Sequence, residues 1–313
     1  MKILIKKGII FLLLFISCLV AAEYLSIKDE WRYFFAEITD SKAYIEGNVG
    51  SDEIIPYIRK VQKQDETREL ILGDSVCYQL MNGLQTYNED KCIVGSNGAI
   101  TMAGQYILCD EYLSNHHDIT DVYLFVLPES LQRTFDTKWG YQYTVLPFAL
   151  TDTLDKLDSN TLSIMSNVYG KWFLRKDIAY LIDSSAINRK IYLNLLKEYG
   201  SSYVQPGGYD LADQYIHKMF ELCEKKNVSF HLCPCPVSDY KKETIREQEK
   251  SYQNTWLSTV FPEYFDSIYY IPDEWTRDHT HLGGEYANQE TYNQIIDEWL
   301  PEGQSTLKLT CSG

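Results

Sequence analysis

The chain has 313 residues, 45% of them hydrophobic and 23% charged, and a net charge of −15 at neutral pH. This is the composition of a folded protein with room for one large domain and a substantial core, and it excludes a disordered chain. So acidic a surface repels phosphate backbones: no nucleic-acid partner is expected, and a neutral glycan suits it better than a strongly anionic polymer.

Lys2, Lys6 and Lys7 precede an uninterrupted apolar run from Gly8 to Ala22. A basic start followed by such a run is an export signal. A bilayer span takes about 20 residues, and Tyr24, Leu25 and Ile27 extend the run past Glu23. Val20-Ala21-Ala22 is also an acceptable cleavage site. Residues 1–27 are therefore a signal anchor or a signal peptide, with the uncleaved anchor preferred. The remainder is expected outside the cytoplasmic membrane, tethered to it or released after Ala22. Residues 28–68 are mixed and polar, with Trp31, Phe34, Phe35 and Ile38 as an amphipathic stretch. They read as a stalk or as an excursion that packs on the following domain.

Leu70-Ile71-Leu72 is a short apolar run closed by Gly73, which predicts a buried parallel strand. Val76, Leu80 and Leu84 then recur at helical spacing. Gly73-Asp74-Ser75 thus falls where a strand turns into a helix, among free N–H groups at the positive end of the dipole. A hydroxyl there is either a helix cap or a nucleophile facing the crevice at the strand's carboxyl end.

A second unit follows: strand Lys91–Val94, loop Gly95-Ser96-Asn97-Gly98, and a helix from about Ala99 to Leu113. Asp121–Leu127 is a third strand, closed by Pro128-Glu129-Ser130. Residues 131–210 break this rhythm. They are rich in aromatics, including Phe135, Trp139, Tyr141, Tyr143, Phe148, Tyr169, Trp172 and Phe173. We read them as an insertion over the carboxyl edge of the sheet, its rings either a sugar platform or a satellite core. A helix near Leu211–Lys226, a fourth strand Val228–Cys233, a charged helix Tyr240–Trp256, a short fifth strand Ser267–Ile271 and a last helix Tyr286–Leu300 complete the chain. Alternating strands and helices imply an α/β, doubly wound, three-layer sandwich on a parallel sheet.

Between the fifth strand and the last helix lies Asp278-His279-Thr280-His281. A serine nucleophile needs an imidazole base, and the base needs a carboxylate to hold its tautomer. Asp278 and His281 have the spacing to supply both, and His279 is a second imidazole beside them. As a metal set, Asp278, His279 and His281 would leave Ser75 unexplained. No metal or cofactor is therefore expected. The eight cysteines show no disulfide framework, and Cys233-Pro234-Cys235 is too tight for zinc. They read as structural thiols, with one or two disulfides available outside the cytoplasm.

Gly-Asp-Ser on the first strand and Asp-x-x-His roughly 200 residues later is a paired signature. In it the chain resembles the SGNH, or GDSL, hydrolase family. The resemblance implies a flavodoxin-like sandwich with a five-stranded parallel sheet over residues 69–313 and an insertion at 131–210. It implies a catalytic set of Ser75, Asp278 and His281, with the backbone N–H groups of Ser75 and Gly98 in the oxyanion hole. The family's Gly-x-Asn after the third strand is missing, which leaves Asn97 or Ser130 to stand in for that asparagine. Tethered members with divergent oxyanion loops look like accessory O-acetyltransferases of envelope polysaccharides, served by a membrane-bound acyltransferase. The expected activity is acyl (acetyl) ester hydrolysis or O-acyl transfer to a cell-envelope polysaccharide through acyl-Ser75. The alternative is an inactive envelope protein of the same fold that binds glycan or an assembly partner.

Overall fold

Four apolar runs become the strands of one parallel sheet in the computed structural model, which describes residues 2–26, 50–81, 90–136, 139–183, 186–199 and 209–299. The strands are β1 (Glu69–Gly73), β2 (Lys91–Gly95), β3 (Asp121–Val126) and β4 (Ser229–Pro234), in the order β2-β1-β3-β4. Leu70, Ile71, Leu72, Ile93, Val94, Val122, Leu124 and Val126 are all buried, as both faces of a covered parallel sheet require. Each such side chain contributes about 1.5–3 kcal/mol by leaving water. Gly73 pairs with Gly95 on one side and Phe125 on the other, so the carboxyl ends of the three strands form a common rim.

The chain runs from β1 outward to β2, then returns past β1 to β3. This reversal is the place where open parallel sheets leave a crevice for ligands. It lies directly beyond Gly73.

The helices follow from the same pattern. Of these, α1 (Lys2–Ser26) carries the apolar run, and its Ile9–Ile16 side chains are exposed. Over the described residues no helix is long and apolar enough to cross a membrane. Next, α2 (Gly50–Gln62) buries Ile54, Ile58 and Val61 along one stripe and packs on α4, so residues 50–62 belong to the domain's body. The helix that carries Ser75 is α3 (Ser75–Met81), and α4 (Met102–Asn115) follows β2. Trp31, Phe34, Phe35, Ile38, Leu84 and Cys311 lie outside the described residues.

After β3 the chain is helical: α5 (Pro128–Leu131), α6 (Leu146–Leu150), α7 (Ser159–Tyr169), α8 (Lys176–Asp183) and α9 (Ala186–Tyr199). The aromatic residues here divide clearly. Phe135, Tyr141, Phe148 and Tyr169 are buried in the core, while Trp172 is 66% exposed. Buried hydroxyls find carbonyls: Tyr141 Oη donates to Phe173 and Tyr169 Oη to Asp136, both at 3.0 Å. Most of the rings are therefore core.

Asp158 caps α7 through Thr161 N–H at 2.9 Å and also accepts bonds from Lys218, Gln214 and Tyr215 on α10 (Asp210–Lys226). Partial burial pushes its carboxyl up, but those donors outweigh burial and hold it well below the usual range.

The fifth strand departs from expectation. Only Tyr270–Ile271 is extended (β6), and it pairs in parallel with β5 (Val237–Ser238) in a separate two-stranded sheet. Pro234 and Pro236 end β4 and redirect the chain, so among the described residues the main sheet has four strands and not the expected five. Beside β4, where a fifth would lie, is a groove of about 510 Å³ lined by Phe230, Leu232, Phe261, Tyr264 and Trp299. The remaining helices are α11 (Lys242–Tyr252), α12 (Trp256–Val260) and α13 (Gln289–Trp299). All seven described cysteines are free thiols, six of them buried.

Candidate active site

The turn from β1 into α3 has no room for a side chain at its first residue. A Cβ on Gly73 would stand 2.3 Å from Cys77 Cβ and 2.6 Å from the Phe125 carbonyl. That close approach brings the start of α3 against β3. Asp74 follows and is buried, so its carboxylate must be satisfied internally. One oxygen accepts Val76 N–H at 3.1 Å; the other accepts Leu127 N–H at 2.7 Å and the Ser130 hydroxyl at 2.6 Å. The Cys235 thiol lies 3.7 Å from the first oxygen. Asp74 thereby ties the β1–α3 turn to the loops after β3 and β4.

Ser75 is the first residue of α3, where its N–H has no intrahelical acceptor. Its Oγ lies 2.8 Å from Nε2 of His281, 206 positions further along the chain. Nδ1 of His281 lies 2.9 Å from Asp278 Oδ2. With Nδ1–H donating to the carboxylate, Nε2 carries the lone pair that accepts the Ser75 proton. The other Asp278 oxygen accepts the backbone N–H groups of His281 at 2.7 Å and Thr280 at 3.2 Å. Partial burial pushes the Asp278 carboxyl up, yet the His281 N–H, the His281 ring and Thr280 N–H bring it below its ordinary value.

The loop itself is braced. Arg277 N–H donates to the His281 carbonyl at 2.9 Å, Gly283 N–H to Trp275 at 3.0 Å, and Thr276 bridges Leu282. Lys241 Nζ reaches Glu129 Oε1 at 2.8 Å and Thr280 Oγ1 at 2.6 Å, joining the loop to the start of α5. Gln79, one turn after Ser75 on α3, bonds to both backbone groups of Leu282. Sequence reasoning missed Lys241 and Gln79, whose bonds to a segment distant in sequence leave no local pattern.

His279 takes no part in this set. Its Nδ1 turns to Asp273, at 2.8 and 3.0 Å from the two oxygens, and its ring stacks on Tyr240 with centroids 4.0 Å apart. Asp278, His279 and His281 therefore do not converge on a point. Among the described residues no group of three His, Cys, Asp or Glu side chains is placed to hold a metal.

The oxyanion side is only partly assembled. Ser130 cannot replace the missing asparagine, because the residue is buried and its hydroxyl is committed to Asp74. Gly98 sits on the same rim, but its N–H donates to Ser96 Oγ at 3.0 Å. Serving an oxyanion would mean breaking that bond. A Cβ on Gly98 would come within 2.6 Å of the Tyr143 ring, which leans over this loop from the insertion. Asn97 is exposed at the loop's tip. No family model matches this chain, and neither does any curated protein or solved structure.

Proposed function

We propose that the chain is an SGNH-like serine-dependent acyl ester hydrolase or O-acyltransferase, held outside the cytoplasmic membrane by its N-terminal segment. The 2.8 Å contact between Ser75 Oγ and His281 Nε2, with Asp278 behind the ring, carries this reading. The four-stranded parallel order with Ser75 at its reversal point supports it as a reduced form of the five-stranded sandwich.

In the proposed reaction His281 takes the Ser75 proton as Oγ attacks an ester carbonyl. The oxyanion is met by the Ser75 N–H and the positive end of α3. Collapse expels the alcohol, which leaves with the proton from His281, and acyl-Ser75 remains. Attack by water releases the acid; attack by a sugar hydroxyl of an envelope polysaccharide gives the transferred ester. A membrane-bound acyltransferase would supply the acyl group in the second case.

Fluorophosphonate labelling of the full chain tests this. Wild type should label at Ser75, while Ser75→Ala should not and His281→Ala should label at least 100-fold more slowly. Unlabelled wild type would sink the reading. Acetyl-ester turnover with and without oligosaccharide separates hydrolysis from transfer. One observation favours a second reading, a non-catalytic glycan- or partner-binding protein: the Gly98 N–H is already taken by Ser96. That reading expects no labelling, with glycan binding retained in Ser75→Ala.

A further inference from the structure

The geometry points to Gln79 as a positioning residue that sets the base against the nucleophile, an inference that rests on the proposed acyl-transfer chemistry. Ser75 and Gln79 are one helical turn apart, so both side chains leave α3 on the same face. From there the Gln79 amide meets the residue immediately after His281. Its Nε2 donates to the Leu282 carbonyl at 2.9 Å, and its Oε1 accepts the Leu282 N–H at 2.9 Å.

The pairing is reciprocal, which fixes the amide's orientation. Turned over, it would set donor against donor and acceptor against acceptor. It is the two-point contact that one strand makes with another, supplied by a single side chain. Leu282 is held on its other side by the bridge to Thr276, and its own side chain is buried. Tyr292 Oη of α13 lies 3.4 Å from Gln79 Nε2 and backs the amide.

The consequence is mechanical. Ser75 belongs to a rigid helix at the sheet, whereas His281 belongs to a loop distant in sequence. Their contact is made between two short side chains in defined rotamers, so it requires the two backbones to keep a fixed separation. Gln79 provides that link one residue from the base, on the nucleophile's own helix. A shift of about 1 Å between such groups lowers turnover by about 100-fold.

The test uses the full chain and two substitutions. Gln79→Met keeps volume and removes both bonds; kcat and the fluorophosphonate labelling rate should each fall 10- to 100-fold, with KM within about twofold. Gln79→Glu keeps the acceptor for Leu282 N–H, but when ionised it faces the Leu282 carbonyl without a proton. Protonation restores the donor. The ratio of this variant's kcat to that of wild type should therefore rise as pH falls through the range of the new carboxyl. A merely structural amide would give a flat ratio. If Gln79→Met fails to fold, the pH ratio of Gln79→Glu decides. Unchanged labelling in folded Gln79→Met, or a flat ratio, overturns the inference while leaving acyl transfer intact. Absence of labelling in wild type removes the chemistry and the inference together.

Discussion

Two imidazole–carboxylate pairs lie a few residues apart, and what their second nitrogens meet is different. His281 lies 2.9 Å from Asp278 and His279 lies 2.8 Å from Asp273, so each ring is oriented by an acid. The second nitrogen separates them: that of His281 meets the Ser75 hydroxyl, whereas His279 lies flat against Tyr240. His279 also has a left-handed backbone, φ +60°, which turns its side chain away from its neighbour's. A carboxylate at the right distance makes an imidazole an oriented ring. A hydroxyl at the other nitrogen makes it a base.

The largest expected effects would break that contrast. His281→Ala should lower ester turnover at least 1,000-fold, whereas His279→Ala should stay within about threefold of wild type. Equal losses in the two variants would abolish the distinction. Next come the acids: Asp278→Asn strands the ring in the wrong tautomer and should cost about 1,000- to 10,000-fold in kcat, with Asp273→Asn below about tenfold. The same acetyl-ester assay reads both. A smaller effect sharpens the comparison, because Thr280 lies between the two imidazoles and is fastened by Lys241. Lys241→Met should lower kcat about tenfold without moving KM, while Lys241→Ala paired with Glu129→Ala should add little to either single change if the three groups act as one.

The smallest effect lies in a carboxylate outside both pairs. Asp158 joins the insertion to α10, and Asp158→Asn should cost about 1–2 kcal/mol at neutral pH. Because folding lowers this carboxyl, its contribution is fully present above the unfolded value of about 4 and is lost as pH falls below it. Denaturant midpoints should therefore show the gap between wild type and variant closing on acidification. A gap independent of pH would assign the tie to packing and not to charge.

Much of this was legible before any coordinates. The runs at the heart of β1, β2 and β3 are continuous and apolar because a parallel sheet is covered on both faces, whereas edge strand β4 opens on exposed Ser229 and half-buried Phe230 and His231. Ser75, Asp278 and His281 were legible through their residue types and order. The fifth strand was not, because a strand beginning at Ser267 looks the same in sequence whichever neighbour it pairs with. Its partner Val237–Ser238 is only two residues long. The fate of Ser130 was equally hidden: nothing in Pro-Glu-Ser announces that its hydroxyl is buried against Asp74. Nor does a lone Gln79 announce a grip on Leu282, since side-chain-to-backbone bonds between distant segments leave no period to read.

The 206-position separation of Ser75 from His281 has a consequence for the order in which the protein comes alive. A domain generally folds as a unit, once its segments have left the ribosome. β1, α3 and the rest of the parallel sheet are all encoded before the Asp278 loop. On the proposed chemistry, Ser75 therefore has no proton acceptor until the Asp278–His281 loop has also been made. On the same reading, a product that stops before Asp278 would carry the alcohol without its base.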